Sequence, residues 1–204
     1  MTDPAPSPVD RPAPGLRERK KARTRAAIQR HAIRLFRERG YEETTISQIA
    51  EAVEISESTF FRYFPTKESV VLWDAFDPAV IAAFRAQPPE VRALPALRAS
   101  ARDVFARIDP AERRLLDDRL RLMASEPALR AAALAQFAGT VQMIAGMVAE
   151  RAGRRAGDMA VQALAGAIIG LSTAAMAAVE ADPSADFVAV WDALSDHLEE
   201  AMSL

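Results

Sequence analysis

The sequence predicts an all-α chain of about nine helices. Three observations carry that reading. Apolar residues recur at three- and four-residue steps through most of the 204 residues. Alanine is abundant, whereas Gly is scarce at 8. Long runs of Val, Ile, Thr and Tyr, which would build strands, are missing.

Residues 1–15, MTDPAPSPVDRPAPG, are Pro-rich and lack the apolar stretch of a secretion signal, so they read as a disordered tail. The first helix begins near Leu16. Ile28, Ala32, Leu35 and Phe36 form its apolar stripe, and Gly40 stops it. The segment RERKKARTR runs into this helix and loads its first turns with Arg17, Arg19, Lys20, Lys21, Arg23 and Arg25. Thr45 and Gln48 match the S/T-x-x-E/Q capping box and start a second helix, with Ile49, Ala50 and Val53 on its apolar side. After the short break EIS, Ser56 caps a third helix carrying Phe60, Phe61 and Phe64, and Pro65 ends it. Thr66 caps a fourth, KESVVLWDAF, read as running to about Phe84.

Pro88 and Pro89 mark a boundary. Helices are expected near 92–107 and 110–123, from Pro127 to about Arg151, and from Asp158 to about Ala181. Asp182-Pro183-Ser184 separates them from a last amphipathic helix with Phe187, Val190, Trp191, Leu194 and Leu198 on one stripe.

The formal net charge of -2 hides an asymmetry. From Arg11 to Arg39 there are eleven Lys or Arg against two Glu, while beyond Trp73 acids outnumber bases 18 to 13. A basic end on an acidic body suits a polyanion-binding module joined to something else. The absence of Cys excludes disulfides, a thiol nucleophile and Cys-ligated metal, and fits a reducing, cytoplasmic setting. Catalysis finds little footing. His31 lies near the buried stripe of the first helix. His197 shares a helical face with Asp192, Asp196 and Glu200, which reads as a solvated surface rather than a metal cluster. There is no Gly-rich phosphate loop, G-x-S-x-G elbow or H-E-x-x-H. No catalytic residue, metal or cofactor is assigned, and the chain reads as not an enzyme.

Two short helices joined by a tight turn, the second capped by Ser and faced with polar groups, form a helix-turn-helix arrangement. Ile49, Ala50, Val53, Ile55 and Phe60 can hold both helices against the first. That leaves Glu57, Ser58, Thr59, Arg62 and Tyr63 to face a major groove, with Arg62 suited to guanine and Thr59 to a thymine methyl. Thr45, Ser47 and Lys67 sit at helix N-termini, where backbone N–H groups favour phosphate. Together with the caps Gln48 and Ser56 and the basic Lys20, Lys21 and Arg25, these make up the expected contact set for double-stranded DNA.

Residues 24–70 resemble the N-terminal domain of the TetR (tetracycline-repressor-like) family of bacterial transcriptional regulators. The resemblance rests on the LF-x3-GY end of the first helix, the TTI-x2-IA start of the second, the S-x2-TFF-x-YF third helix and the following KES. It implies a homodimer that binds a pseudo-palindromic operator and releases it when a small molecule enters a C-terminal domain. Two positions depart from the family pattern. Glu54 stands where Gly is common in the turn; a left-handed conformation there would cost about 1 kcal/mol relative to Gly. Phe61 stands where the family often has a phosphate-binding Tyr, so that contact would fall to Tyr63.

Three segments follow: the tail at 1–15, the helix-turn-helix domain with its linking helix at 16–76, and a ligand-binding and dimerisation domain at 77–204. The resemblance implies a pocket lined by Val80, Phe84, Phe105, Met123, Phe137, Val141 and Ile144, for a small apolar or amphipathic effector. Arg113, Arg114, Arg119 and Arg121 could meet an anionic head group, although a solvated helix face is the plainer reading. Residues 159–179 hold no charge, enough length to cross a bilayer. Their many Ala and Gly residues instead suit close helix approach. A dimer contact through Ala163, Ala167, Gly170 and Ala174 with Trp191, Leu194 and Leu198 is therefore expected, with no membrane partner. The competing reading from these uncharged runs is a small helical membrane-associated protein without DNA binding.

Overall fold

The computed structural model describes residues 15–73, 77–182 and 184–201. The Pro-rich tail short of Gly15, the middle of the expected fourth helix at 74–76 and Pro183 lie outside these residues. Every described element is helical, in the order α1 (Leu16–Arg39), α2 (Ile46–Ala52), α3 (Glu57–Tyr63), α4 (Lys67–Leu72), α5 (Asp77–Ala86), α6 (Ala93–Phe105), α7 (Pro110–Ser125), α8 (Pro127–Ala152), α9 (Met159–Ala181) and α10 (Phe187–Ala201).

There are ten helices among the described residues, one more than expected, because the fourth does not run through to Phe84. Trp73 leaves the helix with ψ 123°. Pro78, whose ring favours the first turn of a helix, then lies near the start of α5. Elsewhere the side-chain caps act where they are expected. Thr45 and Thr66 form capping boxes, and Ser56, Asp109 and Asp158 each accept from backbone N–H groups of the turn they open.

Two apolar clusters organise the chain. The first packs α1–α4 around Ile28, Phe36, Ile49, Phe60, Phe64 and Val70, all 2% exposed or less, and it draws in Leu129 at the start of α8. The second joins α5, α6, α8, α9 and α10 around Ala96, Ala145, Ala165, Ile168 and Ala175. α8 and α9 are each long and apolar enough to cross a membrane. α9, however, packs against α7, α8 and α10 and turns Val161, Ala165, Ile168, Leu171, Ala175 and Val179 inward.

Long-range polar clasps lock the second cluster. Arg151, near the end of α8, donates to the carbonyls of Phe84 (3.2 Å), Gln87 (3.1 Å), Pro88 (2.6 Å) and Val91 (2.9 Å), and its guanidinium lies 4.9 Å from the Phe84 ring centroid. It thereby closes the C-terminal end of α5, whose last carbonyls have no partner within the helix. Arg98 on α6 bonds Asp192 (2.7 Å) and Asp196 on α10, and Arg102 adds a 2.6 Å bond to Asp192. The Arg102 and Arg98 hydrogen bonds hold the Asp192 carboxyl down at about 2. Two of the acids that share the His197 face are thus ion-paired, and no group of three metal-capable side chains occurs among the described residues.

Candidate nucleic-acid interface and effector cavity

α1 divides into two parts. Arg17, Arg19, Lys20, Lys21 and Arg23 are exposed, whereas the helix is buried from Ile28 onward on its apolar stripe. Its basic half does not stand alone. Arg17, Glu18, Lys20 and Lys21 border one cleft together with Arg62 and Tyr63 of α3. The chain fold therefore brings two separately expected parts of the contact set to a single face.

α3 is held from behind. Phe60 and Phe64 are fully buried, their ring centroids 6.1 Å apart, and Ser56 fixes the first turn by accepting from the Thr59 N–H at 3.2 Å. Glu57, Ser58, Phe61 and Arg62 form the outer face. Thr59 and Tyr63 lie half-buried at its edges rather than fully outward, and the Thr59 hydroxyl bonds Ser56 Oγ at 3.0 Å. Phe61 is 47% exposed, one turn after the outward Glu57 and Ser58. On α2, Ser47 is exposed, while Thr45 and Gln48 cap each other at 3.2 and 3.0 Å.

Lys67 and Arg25, two further expected DNA contacts, also have intramolecular partners. The Lys67 ammonium donates to the carbonyls of Tyr41 (2.8 Å) and Thr44 (3.4 Å) and sits 4.2 Å from the Tyr41 ring centroid. The Tyr41 hydroxyl in turn donates to Glu68 at 2.9 Å. Burial and this bond push the Tyr41 hydroxyl pKa up. Burial would also raise Glu68, but hydrogen bonds from its own backbone N–H, Tyr41 and Thr66 outweigh it and hold the carboxyl below its usual range. Arg25 stacks on Phe64 (4.9 Å) and Trp73 (5.3 Å), bracing the end of α3 against α4.

Glu54 in the turn adopts φ 57°, the only non-glycine residue among those described with positive φ. Replacing it with Gly should relieve about 1–2 kcal/mol of left-handed strain and lose up to about 1 kcal/mol to unfolded-state entropy. Glu54→Gly is therefore expected to raise stability by roughly 0.5–1 kcal/mol in denaturant unfolding.

The second part of the site is a cavity of about 370 Å³. Its wall takes residues from α4 through α10 and includes three of the expected pocket residues, Val80, Phe105 and Met123. Phe84, Val141 and Ile144 belong to the neighbouring core instead, and Phe137 is 41% exposed on α8. The expected list left out Leu116, Leu120, Ser172 and Trp191, and Arg119, for which a solvated helix face was the plainer reading, is in the wall as well. Leu116, Arg119, Leu120 and Met123 repeat at steps of three, four and seven on α7, so the stripe was legible; its Arg concealed it. Trp191 donates to Ser172 Oγ at 3.2 Å and is buried within the protomer, rather than on an outward face as expected for a dimer contact. Leu194 and Leu198 are half-buried against the same core, whereas Ala163, Gly170 and Ala174 of α9 are exposed and Ala167 is half-buried. The large exposed apolar side chains of the C-terminal helices lie on α8 (Leu134, Phe137 and Met143) and at Met159.

Known proteins bear directly on this arrangement. A family profile described as "Bacterial regulatory proteins, tetR family" matches residues 28–72, and one described as "MftR C-terminal domain" matches residues 91–203. The HTH-type transcriptional regulator TcmR of Streptomyces glaucescens is 40% identical over 147 residues, 69% of this chain; the chain spans 65% of that relative's length. Thermus thermophilus FadR, a TetR-family transcriptional repressor solved with lauroyl-CoA, is 25% identical with a TM-score of 0.50, covering 87% of this chain and 94% of its own. The fatty acid degradation regulator FadR of Bacillus halodurans shares the fold, with a TM-score of 0.53 at 19% identity over 85% of this chain and 93% of its own. On both its halves, then, the chain belongs to the tetR family of bacterial regulatory proteins.

Proposed function

We propose that the protein is a cytoplasmic, non-enzymatic transcriptional regulator, a repressor that binds a pseudo-palindromic operator as a homodimer and lets go when a small apolar or amphipathic molecule occupies the cavity. The observation that carries this is the single basic face on which Arg17, Lys20 and Lys21 of α1 meet Arg62 of α3, with Phe60 and Phe64 bracing α3 from behind. A braced short helix with a wet outer face is the shape a major groove accepts.

The roles divide by chemistry. Arg62 and Ser58 read base edges, and the exposed Phe61 ring meets a thymine methyl. Lys20, Lys21 and the neighbouring arginines neutralise phosphates, Ser47 hydrogen-bonds one, and Lys67 acts by pinning α4 to the end of α1. Homodimerisation uses the exposed small residues of α9, Ala163, Gly170 and Ala174, beside the apolar side chains that α8 leaves outside. The lauroyl-CoA complex of the Thermus relative supports an amphipathic effector for the cavity.

The test compares two variants on a duplex selected for binding. Arg62→Ala is expected to relax preference by roughly 1–3 kcal/mol at one base position. Lys21→Ala is expected to weaken all sequences alike and to lower the slope of log affinity against log salt by about 1. The same response from both variants would contradict this division of roles.

A further inference from the structure

The cavity is enclosed unevenly. Among the described residues of its wall, Gln136 on α8 is the one that is exposed. Ala133 and Thr140, one turn to either side of it, reach the same wall half-buried. No residue of α8 from Arg130 to Ile144 is buried, although Leu129 and Ala145 at the two ends of that stretch are. Elsewhere the wall is closed by buried residues, Leu116 and Leu120 of α7 and Ile168 of α9 among them. The cavity therefore opens to water beside Gln136 and is largely apolar behind it.

The other polar groups of the wall already have partners within the chain. Ser172 Oγ donates to the Ile168 carbonyl at 3.3 Å and accepts from Trp191 Nε1 at 3.2 Å. The Thr140 hydroxyl donates to the Gln136 carbonyl at 3.2 Å. Arg119 is engaged at the Trp73 carbonyl, 2.9 Å away. The side-chain amide of Gln136, by contrast, bonds no described residue. An amide both donates and accepts, so it can meet a neutral, an anionic or a cationic group. α8 holds no charge from Ala131 to Ala149, so nothing on that helix beside the mouth favours one sign over the other.

We propose that the cavity takes an amphipathic effector tail first and leaves its head in the mouth, against the Gln136 amide. Moving a polar or charged head from water into an apolar interior is costly unless new hydrogen bonds replace those lost, and the polar groups inside are already paired. At the mouth the head keeps its water and gains Gln136. Selectivity then lies in the apolar part of the molecule, and heads of either charge are accepted. Gln136 and Phe137 point about 100° apart round α8, so the mouth lies at the margin of the face proposed for the homodimer. The inference rests on the cavity being the effector site, but the placement of the head can be tested without DNA.

The test uses the full chain at pH 8 with 1-decanol, decanoate and decylammonium, which share a tail and carry a neutral, a negative and a positive head. Binding is followed by intrinsic fluorescence, since Trp191 lies in the cavity wall and Trp73 follows Leu72 of the same wall. The wild type is expected to bind all three with affinities within a few-fold of one another, and octanoate more weakly than decanoate by about 15-fold for its two missing methylenes. Gln136→Glu should strengthen decylammonium and weaken decanoate by about 5-fold each, Gln136→Lys should do the reverse, and 1-decanol should change little in either. Gln136 is exposed, so both variants should fold. No binding of any probe, a strong wild-type preference for one head charge, or unchanged affinities in both variants would overturn the proposal. Probes that bind as expected yet leave the affinity for a selected duplex unaltered would refute the regulator reading and leave the placement of the head intact.

Discussion

Phe60→Ala is expected to destabilise the protein by about 3–5 kcal/mol and to abolish sequence-specific DNA binding. Phe60 is fully buried, edge-on to Phe61 at 5.7 Å and beside Phe64 at 6.1 Å. α3 has only seven residues, too few to persist as a helix without packing. Its one buried side chain within the helix is Phe60, so truncation removes both the burial energy and the anchor. For a chain of this length the melting temperature should fall by roughly 6–20 °C. Thermal unfolding together with a duplex-binding assay checks both parts. Specific binding retained at wild-type strength would show that α3 does not depend on this anchor.

Arg98→Met is expected to cost about 2–3 kcal/mol at neutral pH. The Arg98 side chain is 11% exposed and holds Asp192, itself 21% exposed, across a sequence separation of 94 residues. Removing it strands a carboxylate that keeps only Arg102, an exposed partner. The same clasp sets a pH dependence. The Asp192 carboxyl is lowered from 3.8 to about 2 in the folded chain. A depressed carboxyl adds stability that is present above its unfolded value and disappears as the folded group is protonated. The clasp therefore contributes about 2 kcal/mol above pH 4, and this is lost between about pH 4 and 2. The gap between wild type and Arg98→Met, followed by urea unfolding, should be flat near neutrality and shrink across that acid window. A gap that persisted at pH 2 would mean that Arg98 acts through packing rather than through charge.

Local chemistry was legible in the sequence, and distant pairing was not. Thr45, Ser56, Thr66, Asp109 and Asp158 each announce a helix through a hydrogen bond that spans two or three residues, so reading neighbours suffices. The stripe of α1 likewise foretold Ile28, Ala32, Leu35 and Phe36 in the core. The break was missed although Pro78 stands inside the helix read as running to Phe84 and cannot continue one; nothing in KESVVLWDAF itself places the break at Trp73. What favours the break is its surroundings, with Gln29 and Arg119, 44 and 46 residues away, both donating to the Trp73 carbonyl. Arg151 and Arg98 show the same limit: the acceptors of each lie 60 or more residues away along the chain. Trp191 sat correctly on the apolar stripe of α10, but periodicity says only that a face is buried, not whether α9 of the same chain or a second copy buries it. Thr59 and Tyr63, expected to face outward, sit at the edges of α3 for a simple geometric reason. With 3.6 residues per turn, a helix anchored by Phe60 and Phe64 turns Glu57, Ser58, Phe61 and Arg62 outward and leaves Thr59 and Tyr63 at the margins.

The central claim is that α3, backed by Phe60 and flanked by the basic half of α1, reads duplex DNA as one of a symmetric pair. Selection of bound duplexes from a random pool at low ionic strength tests it most directly, with circular dichroism confirming that the helices are intact. The expected product is an inverted repeat whose half-sites are centred about 10–10.5 base pairs apart, or a multiple of that spacing, as two recognition helices about 34–36 Å apart require. A well-folded protein that enriches no duplex, or only sequences without two-fold symmetry, would contradict it.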